Sequence, residues 1–240
     1  MITLKGLTQI FKKEIKHYFV APIAYIVITI FLLVSGFFFF FFNGGFFYRG
    51  QASMRDFFTL LPIVFSFVIP AITMHQFSEE FNTGSYEMLL TMPLTYLDII
   101  IGKFLASLTL TAVSLLPTLS YAIFISTIGN LDWGPVIGGY VGALLMGASF
   151  CAIGLFASSI TNNQIVSFLV GAVICFGLSI LQQALYFFPP VIADFLQNLS
   201  VSNHFYNVTR GIIDLKDLIY FAVLCFIAMY ATRIVMEEKK

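Results

Sequence analysis

The sequence predicts an all-α membrane protein with six transmembrane helices, forming a single transmembrane domain over residues 1–240. Of the 240 residues, 59% are apolar and only 10% are charged, whereas soluble domains average about 45–50% apolar and about 25% charged residues. Several charge-free stretches also reach the length of about 20 helical residues that crosses a bilayer. The 12 basic and 12 acidic residues cancel, which argues against a nucleic-acid-binding protein.

The first element is an amphipathic helix over residues 1–18. Its apolar residues recur at helical spacing, and lysines occupy other positions around the helix. The apolar residues are Leu4, Leu7, Phe11, Ile15 and Tyr18. This pattern predicts a helix that lies on the membrane surface, with a soluble N-terminal turn as the alternative.

Charge-free runs locate the six spans. Residues 18–48 contain no Asp, Glu, Lys, Arg or His, and this run is longer than the roughly 7–15 apolar residues of a cleaved signal peptide. The uncharged stretch from Trp133 to Ala193 is long enough for two spans, which the polar run at 158–164 separates. Arg233 can lie near the end of the last span because its long side chain reaches the membrane interface. The spans are predicted near 20–42, 57–75, 104–127, 136–158, 165–187 and 218–236.

Six spans place both termini on one side of the membrane, and the basic residues indicate which side. Eight lysines and arginines share the side of the termini, and four lie on the opposite side. Because basic residues concentrate on the cytoplasmic side, both termini are predicted to be cytoplasmic. The eight are Lys5, Lys12, Lys13, Lys16, Lys103, Arg233, Lys239 and Lys240, and the four are Arg49, Arg55, Arg210 and Lys216.

Residues 76–98, between the second and third spans, are predicted to form a helical elbow in the cytoplasm. Gly84 can end the extended second helix in a left-handed conformation. Residues 85–92 can then form a short helix that stops at the following proline. Thr95 and Asp98 have the spacing of a capping box at the start of the third span.

The elbow carries carboxylates beside apolar side chains. These residues are Glu79, Glu80, Glu87, Met88, Leu89, Leu90 and Met92. Apolar residues exposed beside carboxylates favour a docking surface for a cytoplasmic partner. Solvated loop charge is the alternative interpretation.

Small residues predict where helices approach each other closely. Gly134, Gly138 and Gly142 recur every fourth residue in the fourth span, a spacing that permits close helix contact. We assign this row to packing within the protomer, with a dimer interface as the alternative. Ser167 and Gly171 in the fifth span are predicted to lie at the contact between two membrane subunits.

The motifs of common energy-converting and catalytic sites are missing from the sequence. Gly102-Lys103 is the one Gly-Lys pair, and the residues around it do not form a phosphate-binding loop. The three histidines are scattered, and no zinc-protease motif is present. We therefore expect the chain to be no enzyme, to hold no metal or cofactor, and to take its energy from another subunit.

The sequence resembles the membrane permease subunits of ABC-2 type ATP-binding-cassette transporters, particularly those associated with gliding motility and their relatives in nitrous-oxide-reductase maturation. The matching runs are KKEIKHYFVAPIAYI (12–26), PAITMHQFSEEFNTGSYEMLLTMPLTYLDIIIGKF (70–104), GLFASSITNNQIVSF (154–168) and RGIIDLKDLIYF (210–221). In the elbow, a Glu pair is followed by Thr-Gly, an acidic residue, a Leu pair, Pro and then Gly-Lys.

This resemblance implies a half-transporter with an interfacial helix, a coupling helix in the elbow and short re-entrant helices before the last span. The re-entrant helices fall in the outer loop 188–217, where residues 191–199 can form a short helix. The resemblance assigns the coupling role to Glu79, Glu80, Thr83, Gly84 and Glu87. The predicted docking surface contains these residues and Leu89. No substrate-site motif carries over.

The resemblance also implies partners and a location. A separate ATPase subunit binds ATP and Mg²⁺, and a second membrane subunit, identical or related and with or without a large outer domain, completes the transporter. The location implied is the bacterial inner membrane, among membrane lipids. The function implied is export or mechanical work of the gliding-motility type driven by the ATPase, and a membrane anchor or assembly scaffold is the competing function.

Overall fold

The computed structural model describes residues 4–41, 52–86, 95–184, 189, 196–211 and 214–239. All regular secondary structure in these ranges is helical. The helices are α1 (Leu4–Val20), α2 (Ile23–Phe41), α3 (Arg55–Thr73), α4 (His75–Thr83), α5 (Tyr96–Leu115), α6 (Leu119–Ile128), α7 (Trp133–Ile160), α8 (Gln164–Ala184), α9 (Val201–Thr209) and α10 (Leu215–Glu238), with a 3-10 turn at Leu116–Thr118 between α5 and α6.

Six stretches of the described chain are long and apolar enough to cross a membrane. They are α2, α3 with α4, α5 with α6, α7, α8 and α10. The prediction of an all-α membrane protein with six spans is therefore confirmed. A short helix, α9, precedes the last span, and residues 191–195 of the helix predicted at 191–199 lie outside the described residues.

Helix α7 forms the centre of the bundle and is the most buried of the six spans. It packs against α3, α5, α8, α9 and α10. Large apolar side chains such as Phe65, Ile69 and Phe150 are fully buried in the main core. Helix α2 packs against α3 on the outside of this group. The spans around α7 leave many apolar side chains exposed, as lipid-facing helices do.

The glycine row of α7 brings α9 close to the centre of the bundle. A Cβ atom on Gly138 would lie 2.7 Å from the carbonyl oxygen of Val208, and one on Gly142 would lie 3.1 Å from the Val208 side chain. Gly211, just after α9, has a φ of 83°, a conformation that favours glycine. The assignment of the α7 row to packing within the protomer is therefore confirmed for Gly138 and Gly142.

The small residues of α8 also pack inside the protomer, which corrects the prediction that Ser167 and Gly171 form the subunit contact. Both residues are buried. A Cβ atom on Gly171 would lie 3.2 Å from the ring of Pro70 and 3.5 Å from Ala157. The small side chains bring α8 against α3 and α7, and the exposed apolar residues of α8 lie elsewhere on the helix.

Helix α1 packs along α5, and the row that it buries contains Ile10, Glu14 and Tyr18. The neighbouring row, with Phe11 and Ile15, is only half-buried. Gly102 of α5 permits this contact, because a Cβ atom there would lie 2.9 Å from the Ile10 side chain. Helix α1 therefore buries a carboxylate against the protein as well as part of its apolar stripe.

The third span begins at Tyr96, eight residues before the predicted position 104. The predicted capping box at its start is confirmed: Asp98 N–H donates to the Thr95 hydroxyl at 3.2 Å, and Thr95 N–H donates to the Asp98 carboxylate at 3.1 Å. Hydropathy alone predicts that the span begins after Lys103, because that residue is charged. In the structure Lys103 lies inside the helix, where carboxylates from two other helices surround it.

Candidate functional site

The elbow begins as a continuation of the second span. Helices α3 and α4 together form a 29-residue stretch from Arg55 to Thr83, about 43 Å long at 1.5 Å per residue. A bilayer core is only about 30 Å thick, so α4 extends beyond it on the face of the bundle that carries α1. This end of the bundle is called the near face below.

Helix α4 ends at Gly84, whose φ of 71° is the left-handed cap that the sequence predicts. Thr83 and Gly84 are exposed, and Glu79 is half-buried. Glu87 and Leu89, the remaining residues of the predicted docking surface, lie outside the described residues, as does most of the predicted 85–92 helix.

Lys103 lies at the centre of a buried group of charges at the near face. Its ammonium nitrogen is 3.0 Å from Glu14 Oε1 and 2.9 Å from Glu80 Oε1, and it donates to the carbonyl oxygen of Gln76 at 2.6 Å. Its side chain is 1% exposed. A lysine has three N–H donors, and each finds an acceptor here. We call Glu14, Gln76, Glu80 and Lys103 the near-face cluster.

Glu80 is predicted to contact a partner protein, and within the chain it already has charged neighbours. Its carboxylate turns inward to Lys103 and is also 3.4 Å from Lys13 Nζ. A buried ammonium group requires a compensating charge, and Glu80 and Glu14 both provide it. Of the two adjacent carboxylates on α4, only Glu79 remains at the surface.

Hydrogen bonds extend the near-face cluster to α1 and α7. Gln76 Nε2 donates to the Tyr18 hydroxyl at 2.5 Å, and that hydroxyl donates to the carbonyl of Ile72 at 3.0 Å. Ser158 of α7 accepts hydrogen bonds from the N–H groups of Phe77 and Ser78 at 3.0 and 3.1 Å. Ser158 thus caps the first turn of α4 from outside the helix. Four helices, α1, α4, α5 and α7, are joined at this point.

The electrostatics of the cluster favour ionised Glu14. Burial acts to raise the pKa of Glu14, but the charge and hydrogen bond of Lys103 outweigh burial and hold that pKa below its ordinary value of 4.5. Burial also raises the pKa of Tyr18 well above 10. Tyr18 therefore stays a neutral phenol that can donate to the Ile72 carbonyl.

The near-face cluster borders a polar cavity of about 170 Å³. Lys13, Glu79 and Thr83 line its side toward the elbow, and His75 and Gln76 line its buried side. Among the described residues, no group of three or more His, Cys, Asp or Glu side chains is placed to hold a metal ion. The arrangement can transmit a displacement of α4 to α1 and α5.

Sequence reasoning did not identify Glu14 or Lys103 as part of the site. A signal for Glu14 was present, because it lies four residues after Ile10 and four before Tyr18, so all three share one face of α1. For Lys103 the signal was its position directly after Gly102, the residue that permits α1 to approach. Neither pattern reveals the partner charge, which is distant in sequence.

Comparison with known proteins agrees with this architecture. Residues 8–233 match a family model described as ABC-2 family transporter protein. A search of curated proteins gives no significant match. The family match covers all six candidate spans apart from the last few residues of α10, and the chain therefore belongs to the ABC-2 family of transporter membrane proteins.

Proposed function

We propose that the chain is the permease subunit of an ABC transporter and that a separate subunit hydrolyses ATP to drive export or mechanical work. The observation that carries this proposal is the near-face cluster, in which Lys103 of α5 binds carboxylates from α1 and α4. A buried ionic contact resists separation of its members. A force applied to the elbow would therefore move three helices together.

The elbow is proposed as the ATPase docking surface. Glu79, Thr83 and Gly84 supply the described part of this surface, and Glu87 and Leu89 complete it. Glu80 takes a different role in the proposal: it positions α4 by its contact with Lys103. The near face is proposed to be cytoplasmic, which the eight basic residues predicted on the side of the termini support.

Co-purification of the ATPase subunit from native membranes tests the docking surface. Glu79→Lys and Thr83→Trp should each reduce recovery of the ATPase severalfold, because like charge or added bulk then opposes a complementary surface. Glu238→Lys is the matched control, since Glu238 is exposed on α10 at the same face. Undiminished recovery with both elbow variants would show that the ATPase docks elsewhere, and recovery of no ATPase with the wild type would favour the scaffold function.

We further propose that two membrane subunits, identical or related, form the transporter. The exposed face of α8, with Ile165, Leu169 and Val173, now replaces Ser167 and Gly171 as the candidate contact. Leu169→Cys should crosslink between copies, and Ile227→Cys on the exposed face of α10 should not. Crosslinks through position 227 alone would place α10 at the interface.

The gliding-motility type is proposed on the resemblance of the elbow and the three other matching runs. Proteins that co-purify with the chain from the inner membrane would identify the type. A partner of the gliding machinery is the expected result, and a partner of copper-site maturation would reassign the subgroup.

A further inference from the structure

A second polar site lies at the far face, the end of the bundle opposite α1 and α4. It is a cavity of about 330 Å³ where the starts of α3 and α7 meet the end of α9. Its polar lining includes Ser53, Arg55, Asp132, Thr209 and Arg210. The cavity is separate from the near-face cluster and from the elbow.

The two arginines of this cavity share one aromatic neighbour. The guanidinium carbon of Arg210 lies 4.5 Å from the centre of the Tyr206 ring, and that of Arg55 lies 6.0 Å from it. Contact with an aromatic face orients a guanidinium group without consuming its hydrogen-bond donors. No carboxylate in the described part of the chain forms an ion pair with either arginine.

The backbone adds to the positive character of the cavity. Helix α3 starts at Arg55, whose N–H donates to Ser53 Oγ at 3.2 Å, and Met54 before it provides no side-chain cap. The next amide groups of the first turn point out of the helix end and favour a negative ligand. The one carboxylate in the lining is Asp132, whose Oδ1 accepts a hydrogen bond from Gly134 N–H at 3.1 Å. Asp132 thus caps α7. The neighbouring Asp56 is half-exposed.

The fold holds the arginines in place at the far-face ends of the candidate membrane spans. Arg210 directly follows α9, which the close contact between Val208 and Gly138 fixes against α7. Arg55 is the first residue of α3, next to buried Met54. Trp133 lies exposed at the start of α7, and together with Tyr206 it gives the aromatic residues typical of a membrane interface.

We propose that this cavity binds a phosphate group, with Arg55 and Arg210 as its ligands. Arginine donates paired hydrogen bonds that match phosphate oxygens. Two arginines beside a helix N-terminus offer more donors to these oxygens than a single cation does. The phosphate can belong to the headgroup of an anionic lipid or to a free phosphate ion. Because the cavity lies at the ends of the spans α3 and α7, we expect lipid phosphates within its reach.

Thermal unfolding of the purified, delipidated chain in neutral detergent tests the site. Three probes are added separately: phosphatidylglycerol in mixed micelles, inorganic phosphate, and chloride at matched ionic strength. Phosphatidylglycerol or phosphate should raise the Tm of the wild type, whereas chloride should not. The apparent affinity should fall about tenfold in Arg55→Gln and in Arg210→Gln, which corresponds to about 1.4 kcal/mol each, and the double variant should not respond.

Lys216→Gln is the matched control, because Lys216 is an exposed cation of the far face that does not line the cavity. It should respond to the probes as the wild type does. Arg55→Lys and Arg210→Lys keep the charge but lose the paired donors, so they should restore only part of the affinity. Far-UV circular dichroism of each variant without ligand shows whether the fold is intact.

The probes also separate the two sources of phosphate. A response to phosphatidylglycerol alone identifies a lipid headgroup site, and a response to inorganic phosphate identifies a site for a free oxyanion. Absence of both responses in the wild type would overturn the proposal, and so would a double variant that responds as Lys216→Gln does. The experiment needs no ATPase, so its outcome is independent of the docking tests.

Discussion

The two faces of the bundle use positive charge in opposite ways. At the near face, Lys103 is 1% exposed and contacts carboxylates from two other helices. At the far face, Arg55 and Arg210 are exposed, and no carboxylate of the described chain pairs with them. A buried lysine with every donor occupied holds helices together, whereas an exposed arginine with free donors can bind a ligand. Stability should therefore depend on the near-face charges and ligand binding on the far-face charges.

The near-face cluster should give the largest stability effect. Lys103→Met leaves Glu14 and Glu80 buried without their cation, and removing one partner of a buried ion pair costs about 3–5 kcal/mol. We expect a large fall in Tm, measured by fluorescence-detected size-exclusion chromatography after heating. Lys12→Met, at an exposed position of α1, should change Tm little.

A compensated variant separates the effect of unpaired charge from that of lost packing. When Lys103→Met is combined with Glu14→Gln and Glu80→Gln, no charge remains unpaired, and part of the lost stability should return. A triple variant that is less stable than Lys103→Met would contradict the ion-pair explanation. In that case the shape of the lysine chain, and not its charge, would hold the helices.

The charge of Glu14 should make part of this stability dependent on pH. The pKa of Glu14 is lowered in the folded protein, so ionised Glu14 stabilises the fold above the ordinary value of 4.5, and this contribution is lost as the pH falls through the lowered pKa. Glu14→Gln should cost about 2 kcal/mol at pH 7, as hydrogen bonds to charged groups do. The difference in Tm between this variant and the wild type should shrink below pH 4.5. A difference that stays constant with pH would show that Glu14 is not ionised in the fold.

Glu238→Gln provides the control for the pH series. Glu238 is exposed at the end of α10, and it forms no ion pair within the described residues. The Tm of the Glu238→Gln variant should equal that of the wild type at each pH. A pH effect of equal size in both variants would point to the total charge of the protein and not to the near-face cluster.

The same contrast explains which parts of the structure the sequence could predict. Hydropathy gave the six spans because the bilayer imposes the same length on every crossing helix. The cap at Gly84 and the capping box at Thr95 were also predictable, since each depends on residues within one helical turn.

Contacts between distant residues were not predictable in this way. Glu14 and Lys103 meet across 89 positions of the chain, and a charge that is neutralised by a distant partner looks in the sequence like a charge in solvent. The sequence therefore places the start of the third span after Lys103, and it does not reveal the contact between Lys103 and Glu80. Small-residue spacing likewise predicted close contacts for Gly138 and Gly171. It did not show which helix Gly171 contacts, and in the structure that helix is α3 of the same chain.

The glycine contact with α7 should help to hold the far-face helix α9 in place, beside the 2.6 Å contact of His204 Nδ1 with Asp217 of α10. Gly138→Leu inserts a side chain where even a Cβ atom would lie 2.7 Å from the Val208 carbonyl, and overpacking of this kind costs about 1–3 kcal/mol. Gly177→Leu is the matched control on α8, since a Cβ atom there would meet nothing within 4 Å. We expect Tm to fall in the first variant only, and equal Tm values would mean that α9 does not depend on this contact.

Loss of the capping box should have the smallest effect at the near face. Thr95→Ala removes the hydroxyl that accepts from Asp98 N–H, and loss of such a cap costs about 1 kcal/mol. Thr95→Ser keeps the hydroxyl and should retain most of the Tm. The cap lies at the start of α5, two helical turns before Lys103. It therefore stabilises the end of the elbow but does not connect the elbow to α1. If Thr95→Ala lowered Tm as much as Lys103→Met does, the local cap would be the main support of the elbow, and the buried charges would not distinguish the near face from the far face as proposed.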